Sequence, residues 1–124
     1  MWTYVQDSGE IFDSSGHCLD VGYSGHGACK NKPDCQSMKN MGPCPVGTYA
    51  IGKSFHHPQK GPICMRLTPF PGNEMYGREG FMIHGDSISN PGTASDGCII
   101  LSRTTREAID DSGDSSLQVI STKA

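Results

Sequence analysis

The sequence predicts one mainly β domain, a compact sandwich or barrel with one or two short helices, that spans residues 1–124. Its 16 glycines and 8 prolines are typical of a chain of short elements joined by tight turns. Its apolar residues alternate with polar ones or form short unbroken runs, which is the pattern of strands rather than of long amphipathic helices. The length suits one domain, because most domains hold about 100–150 residues.

The chain begins with a predicted hairpin. Apolar and polar residues alternate over 2–6, Asp7–Gly9 supplies a turn with a glycine at its end, and Glu10–Phe12 resumes the strand. Leu19–Tyr23 is a third predicted strand. The stretch that follows is rich in Gly, Asn, Pro and Cys, and its one helical signal is Pro33–Asn40, because proline suits the first turn of a helix.

The middle of the chain predicts two strands separated by a loop. Gly47–Lys53 alternates around Tyr49 and Ile51 and predicts a strand. Ser54–Pro62 carries two prolines and two adjacent histidines and predicts a loop, whereas Ile63–Thr68 predicts another strand that ends at the following proline.

The clearest helix signal lies near the end of the chain. Thr104 stands at capping-box spacing from Glu107, and Gly113 can close the helix. Leu117–Thr122 is the last predicted strand. One capped helix among short strands again favours the mainly β class.

Composition and charge exclude several classes of function. The 10 Lys and Arg residues are scattered and outnumbered by 13 Asp and Glu, so we expect no nucleic-acid partner. No apolar run approaches the roughly 18–20 residues that cross a bilayer, so we expect no membrane insertion. The residues from Met1 onward lack the basic and apolar segments of a signal peptide, which predicts synthesis in the cytoplasm without one.

Six cysteines are more than a protein of the reducing cytosol usually has, although no signal peptide is visible. A protein that is made in the cytosol and acts outside it would reconcile the two observations. Two bridges with one free thiol, or fewer bridges, both remain open, and a pair within 18–44 would staple the loop-rich stretch. A zinc site is the alternative, but the spacings lack the separation of about two to four residues found in structural zinc sites, so we expect no metal or other cofactor. The cysteines are Cys18, Cys29, Cys35, Cys44, Cys64 and Cys98.

The strongest chemical signal is a histidine and a cysteine at the ends of two apolar strands. Phe81–Ile83 is unbroken and apolar and leads into His84, whereas Cys98 begins the apolar run Cys98–Leu101. If these strands are neighbours, both side chains face one point at the edge of the sheet. The pair suits nucleophilic catalysis, because the thiolate is the nucleophile and an imidazole within hydrogen-bond reach takes the thiol proton.

Neighbouring residues add to this interpretation and also complicate it. Gly97 allows a carbonyl to approach closely, and its N–H with that of Cys98 would form an oxyanion hole. Asp86 and Asp96 flank the pair, and negative charge raises the pKa of a thiol. Asp86, Ser87 or a main-chain carbonyl would orient the imidazole. The alternative is that Cys98 is a buried structural cysteine, since cysteine is among the most buried residue types.

The motif His84-Gly85 followed by Ser95-Asp96-Gly97-Cys98-Ile99 resembles the active-site motif of the L,D-transpeptidases, whose domain has the YkuD-like fold. Other segments resemble one branch of these enzymes, the L,D-transpeptidase-related effectors delivered by bacterial type VI secretion. In chain order these segments are Tyr23–Gly25, Asn31–Gln36, Lys39–Pro43, Pro45–Tyr49, Leu67–Pro69 and Pro71–Arg78.

The resemblance implies that Cys98 is the nucleophile, His84 the base and the Gly97 and Cys98 amides the oxyanion hole. It implies an L,D-carboxypeptidase or L,D-transpeptidase that cleaves the diaminopimelate–D-alanine bond of tetrapeptide stems and exchanges D-amino acids. In the effector branch such an enzyme is an antibacterial toxin that acts in the periplasm of a target bacterium. Its expected partners are peptidoglycan stem peptides, an immunity protein and a carrier in the secretion apparatus.

The sequence departs from the general transpeptidase motif at two positions. Asp96 stands where that motif often has His, and Ile100 stands where it often has Arg. Arg78, Arg66 or Arg103 would replace the missing guanidinium as the ligand of a substrate carboxylate, and Arg78 is the first choice.

The remaining substrate-binding candidates lie beside these motifs. We expect Asn73 and Tyr76, before the strand that carries His84, and Ser95 and Asp96, beside Cys98, to line the cleft.

Two other functions remain open at this stage. A disulfide-stapled module that binds cell wall or a partner without chemistry predicts that Cys98 lies in a bridge. An ordinary cysteine peptidase would keep the nucleophile and act on proteins instead.

Overall fold

The structure, a computed structural model, describes residues 1–123. One α-helix, α1 (Arg103–Ser112), and two short 3₁₀ turns (Gly27–Cys29 and Pro33–Cys35) occur in this range. The strands are β1 (Trp2–Val5), β2 (Glu10–Phe12), β3 (Cys18–Val21), β4 (Tyr23–Ser24), β5 (Gly47–Ile51), β6 (Phe55–His57), β7 (Gly61–Pro69), β8 (Met82–His84), β9 (Ile99–Ile100) and β10 (Ser116–Ile120).

The strands form one nearly closed, barrel-like sheet. Its order is β3-β2-β1-β10-β5-β7-β8-β9-β4, and β6 pairs with β7 outside this path. Most neighbours are antiparallel, but β1 and β10 are parallel, as are β8 and β9. The predicted mainly β, barrel-like class with a short helix is therefore confirmed.

The sheet closes at Gly22, the single residue between the two strands at its ends. The Gly22 N–H donates to the Gly9 carbonyl at 2.8 Å. A Cβ at Gly22 would lie 1.9 Å from the Ile100 carbonyl oxygen, and one at Gly9 would lie 2.0 Å from the Gly22 carbonyl oxygen. Three backbones meet here at a distance that only glycine permits.

The interior of the barrel is apolar. Alternate residues of β1, β5 and β10 point inward, and each large side chain buried in this way contributes roughly 1.5–3 kcal/mol. The fully buried side chains of this core include Tyr4, Ile11, Tyr49, Met65, Ile83, Ile99 and Leu117. Helix α1 adds Ile109 to the same cluster.

Three local predictions were wrong. Ser54–Pro62 is not all loop, because Phe55–His57 forms β6 and pairs with β7. The predicted helix over Pro33–Asn40 is a single 3₁₀ turn, Pro33–Cys35. The helix cap is Ser102 rather than Thr104, since the Ser102 hydroxyl accepts the Thr105 N–H at 3.3 Å. Gly113 closes the helix as predicted, with a left-handed φ of 72°.

Within residues 1–123 the structure contains no helix that is both long and apolar enough to span a membrane.

Candidate active site

The strands that carry His84 and Cys98 are neighbours in the sheet, as predicted. Strand β8 pairs in parallel with β9, with Ile83 beside Ile99 and His84 beside Ile100. Cys98 lies two residues before Ile100, so it belongs to the same face of the strand pair as His84, because side chains alternate between faces. Both residues line one cleft at this edge of the sheet.

The cleft has a volume of about 330 Å³. It is lined by Gly97, Cys98 and the segment Gly77–Met82, and by Lys39 and Asn40 from the loop-rich stretch before β5. The charged residues that line it are Lys39, Lys60, Arg78, Glu79 and Asp96. A second depression shares His84, Lys60 and Ala94 with the cleft and continues along the loop after β8.

The His84 ring is held in one tautomer. It is only 1% exposed, and its Nδ1 lies 2.8 Å from the Gly85 carbonyl oxygen. A carbonyl only accepts hydrogen bonds, so Nδ1 carries the proton and Nε2 keeps a free lone pair. Among the described residues, the buried Nε2 has no hydrogen-bond partner. Burial lowers the pKa of His84, which keeps the imidazole neutral and able to accept a proton.

The Cys98 thiol is free and half-buried. Its Sγ lies 4.0 Å from the Gly80 carbonyl oxygen. Burial raises the pKa of Cys98, the Met82 amide and the Lys60 ammonium lower it, and the Asp96 carboxylate raises it. Burial of the two residues therefore favours a neutral imidazole at His84 and a neutral thiol at Cys98 over a preformed ion pair.

The turn before Cys98 is fixed by two buried hydroxyls. The Ser95 Oγ donates to the Cys98 carbonyl oxygen at 2.6 Å and accepts the N–H groups of Gly25 and Gly97 at 2.9 and 3.1 Å. The Ser24 Oγ donates to the Gly97 carbonyl oxygen at 2.8 Å. Ser95 thus shapes the turn with a hydroxyl that is fully engaged, and Gly97 donates its N–H to Ser95 rather than into the cleft, unlike in the predicted oxyanion hole.

Gly97 also meets a steric requirement. Its φ is +146°, and a Cβ there would lie 2.6 Å from the Arg78 Nη2 and 2.8 Å from the Phe81 ring. Only glycine fits between these two side chains in this backbone conformation.

Arg78 has a different role from the one that the sequence predicted. It is 6% exposed, and its guanidinium donates to four main-chain carbonyls at 2.6–3.2 Å. These contacts use its terminal N–H groups, so they are not available for a substrate carboxylate. The carbonyls belong to Gln36, Gly42, Pro43 and Asp96.

The two alternative arginines lie outside the cleft. Arg66 stacks over the Phe55 ring at 4.8 Å, and Arg103 pairs with Glu107 at 3.9 Å on the surface of α1.

Asp86 and Ser87 lie in the second depression, but the Gly85 carbonyl holds the His84 ring. The Asp86 carboxylate accepts the Tyr23 hydroxyl at 2.6 Å, as well as the Ser87 and Gly92 amides. Of the three orienting groups that the sequence left open, the structure therefore selects the main-chain carbonyl.

Asn73 and Tyr76 do not line the cleft. The Asn73 amide pairs with both main-chain groups of Thr48 at 2.9 and 3.0 Å, which ties its loop to β5. Tyr76 is 42% exposed, with a φ of +57°. Asp96 is exposed at the cleft, as expected for a residue beside Cys98.

The cysteines form one bridge, Cys29–Cys35, inside the stretch that the sequence analysis identified. Cys18, Cys44, Cys64 and Cys98 are free. A non-catalytic module was expected to bridge Cys98, and the structure instead leaves that thiol unbridged in the cleft. The described residues contain no group of three or more His, Cys, Asp and Glu that could hold a metal ion.

The sequence analysis missed three residues of this site. Lys39 and Lys60 bring ammonium groups to the cleft, and Ser24 supports the turn before Cys98. Lys60 lies in the turn between β6 and β7. The sequence predicted a loop over this region, and no motif placed that loop near His84. Ser24 and Lys39 carried a signal only as parts of the segments Tyr23–Gly25 and Lys39–Pro43.

Comparison with known families assigns the chain to one of them. The sequence model of the Tlde1 domain matches residues 20–122, which include every element from β4 to β10. The chain therefore belongs to the Tlde1 domain family, a family of type VI secretion effectors. A search of curated proteins found no match, and a search of solved structures found none either.

Proposed function

We propose that this chain is a cysteine-dependent L,D-carboxypeptidase and L,D-transpeptidase that acts on the tetrapeptide stems of peptidoglycan. The observation that carries the proposal is the free Cys98 thiol in one cleft with a His84 imidazole whose tautomer leaves Nε2 unprotonated. The motif around these residues resembles that of the L,D-transpeptidases, and the family membership supports an effector role.

The first step forms an acyl-enzyme. As Sγ attacks the carbonyl carbon at the L-centre of diaminopimelate, the thiol proton passes to the His84 Nε2. The Cys98 N–H is the oxyanion donor that remains from the predicted pair, because Gly97 donates to Ser95. The imidazolium then returns its proton to the nitrogen of D-alanine, the amide bond breaks and the stem stays on sulfur as a thioester.

The second step releases the stem. Water attacks the thioester in the carboxypeptidase reaction, whereas the amine of a D-amino acid or of another stem attacks in exchange or cross-linking. In each case His84 takes a proton from the incoming group and returns it to sulfur, which restores the neutral pair.

We propose that the site of action is the periplasm of a target bacterium. The Cys29–Cys35 bridge supports this placement, because disulfides persist in oxidising compartments. An immunity protein that covers the cleft in the producing cell is the partner that such a toxin requires.

The test is incubation of the purified chain with muropeptides, with and without an added D-amino acid. We expect release of D-alanine from tetrapeptides and a new exchanged product when the D-amino acid is present. Cys98→Ala abolishes both products, and Cys18→Ala, which removes an exposed free thiol outside the cleft, changes neither.

The same pair of variants, expressed in the periplasm of a target bacterium, tests the toxin role. If no D-alanine is released and Cys98→Ala is as toxic as the wild type, the proposal fails. Degradation of protein substrates with muropeptides left intact would instead identify an ordinary cysteine peptidase.

A further inference from the structure

The cleft contains two lysine ammonium groups that form no ion pair within the described residues. Arg78 donates to four main-chain carbonyls, whereas Lys39 and Lys60 have no carboxylate within ion-pair distance among the described residues. These two ammonium groups are therefore the cleft's available ligands for an anion.

Lys60 differs from Lys39 in its position. It lines both the cleft and the second depression, as does His84, whereas Lys39 lines the cleft alone. Lys60 is therefore the cation at the junction of the two depressions. Its charge acts on both reacting groups, since it lowers the pKa of Cys98 and of His84.

The turn that carries Lys60 is ordered by its own hydrogen bonds. The N–H groups of Gln59 and Lys60 both donate to the His57 Nδ1, at 3.0 and 3.1 Å. Strand β6 is in turn paired with β7, which pairs with β8. The backbone of Lys60 is thus connected through the sheet to the strand that ends at His84.

We propose that Lys60 determines specificity. Its ammonium binds the terminal carboxylate of the leaving residue, which contributes the nitrogen of the amide bond that Cys98 attacks. This inference rests on the proposed function. A cation beside the thiol favours a scissile bond next to a free carboxylate, which is the bond that a carboxypeptidase cleaves. An internal peptide bond is followed by another amide rather than by a free carboxylate, so it has no negative charge there for Lys60 to bind.

An alkylation experiment tests the charge without any peptide substrate. Iodoacetate and iodoacetamide both alkylate thiolates by the same displacement of iodide, but only iodoacetate carries a carboxylate. Their rate ratio at Cys98 is measured by mass spectrometry at low salt, with the exposed Cys18 of the same molecule as an internal reference. A change in the pKa of Cys98 alters both rates equally and cancels in the ratio.

We expect Lys60→Gln to lower the iodoacetate-to-iodoacetamide ratio at Cys98 by about 5-fold, the effect of removing one exposed charge near an anion. The ratio at Cys18 stays constant. Lys53→Gln, a matched change at an exposed lysine outside the cleft, leaves both ratios unchanged. An unchanged ratio at Cys98 in Lys60→Gln, or a loss produced by Lys39→Gln instead, overturns the inference.

A second experiment compares tetrapeptide stems that end in a free D-alanine carboxylate with stems that end in the D-alanine amide. We expect Lys60→Gln to lower the ratio of kcat/KM for the free acid to kcat/KM for the amide by about 10-fold, which is roughly the effect of one lost charge contact, because a change in the reactivity of Cys98 or His84 affects both substrates and cancels in the ratio. If the wild type is active and Lys60→Gln keeps the preference for the acid, this inference fails and the proposed function stands. If the wild type releases no D-alanine, the proposed function fails, and the alkylation ratio still decides whether Lys60 attracts a carboxylate.

Discussion

The Ser95 hydroxyl donates a 2.6 Å hydrogen bond to the carbonyl oxygen of Cys98, three residues further along the chain. The Ser95 Oγ also accepts the N–H groups of Gly25 and Gly97, so one buried side chain connects the segment after β4 with the turn that leads to Cys98. The position of Cys98 therefore depends on a residue that does not take part in the chemistry.

Ser95→Ala tests this dependence. The variant leaves two N–H groups and a carbonyl without their partner, and each buried unpaired group costs roughly 1–3 kcal/mol. We expect the free energy of unfolding to fall by about 3 kcal/mol in urea denaturation, together with a loss of D-alanine release. Ser14→Ala, at an exposed serine, serves as the control and changes neither quantity. Full stability in Ser95→Ala would contradict the role assigned to its hydroxyl.

Arg78→Lys tests whether the guanidinium belongs to the fold. A lysine ammonium cannot reach four carbonyls arranged for a planar fork, so the substitution keeps the charge and loses most of the contacts. We expect a loss of about 3 kcal/mol in the free energy of unfolding. Arg66→Lys, at an exposed arginine, is the matched control. If Arg78→Lys is as stable as the wild type and only its KM is raised, Arg78 binds substrate, as the sequence predicted, rather than stabilising the fold.

The buried His84 predicts a pH dependence of stability. Burial holds its folded-state pKa below the ordinary value of about 6.5, so between the two pKa values only the unfolded chain is protonated. Stability rises with pH wherever the unfolded state binds more protons, so it is lost as pH falls below about 6.5.

Urea denaturation at pH 7.5 and 5.5 measures this effect. We expect wild type to lose up to about 1.4 kcal/mol per pH unit within the window, and His84→Gln to lose less. The exposed His56 provides the control His56→Gln, which keeps the wild-type slope. Equal slopes for wild type and His84→Gln would show that His84 is not the group responsible.

Asp96→Asn tests the electrostatics of the thiol. The Asp96 carboxylate raises the pKa of Cys98, so its removal increases the thiolate fraction at neutral pH. We expect iodoacetamide to alkylate Cys98 about 3-fold faster in the variant at low salt, and the difference to shrink at 1 M salt, where the Debye length is about 3 Å. Asp111→Asn, on the distant end of α1, has no effect on this rate. Slower alkylation of Cys98 in Asp96→Asn would contradict the conclusion that the Asp96 carboxylate raises the pKa of Cys98.

The Cys29–Cys35 bridge closes a loop with a sequence separation of 6. A loop this short contributes about 2 kcal/mol of stability through the entropy of the unfolded chain. We expect reductant to lower the Tm of wild type, and to have no effect on the Tm of a Cys29→Ser/Cys35→Ser variant. Cys18→Ser, which removes a free thiol, keeps the response to reductant. An identical Tm with and without reductant in the wild type would argue against the bridge.

Local patterns predicted strands such as β1 and β5, because buried apolar residues alternate with more exposed ones along a half-buried strand. The placement of His84 and Cys98 in one cleft was also predictable, since each residue ends or begins an apolar strand and the loop between them is short. Strand β6 was not, because its pairing depends on β7 rather than on its own residues. The role of Arg78 was hidden for the same reason, since its four acceptors come from two distant segments of the chain.

The closure of the sheet at Gly22 has a consequence for how Cys98 is positioned. Ile100, two positions after Cys98, packs its carbonyl against Gly22, and the Gly22 N–H donates to the carbonyl of Gly9 near the opposite end of the chain. A partly folded chain would contain every side chain of the site and still lack the closed sheet that positions them. The geometry of the cleft therefore depends on closure of the sheet as well as on the residues that line it.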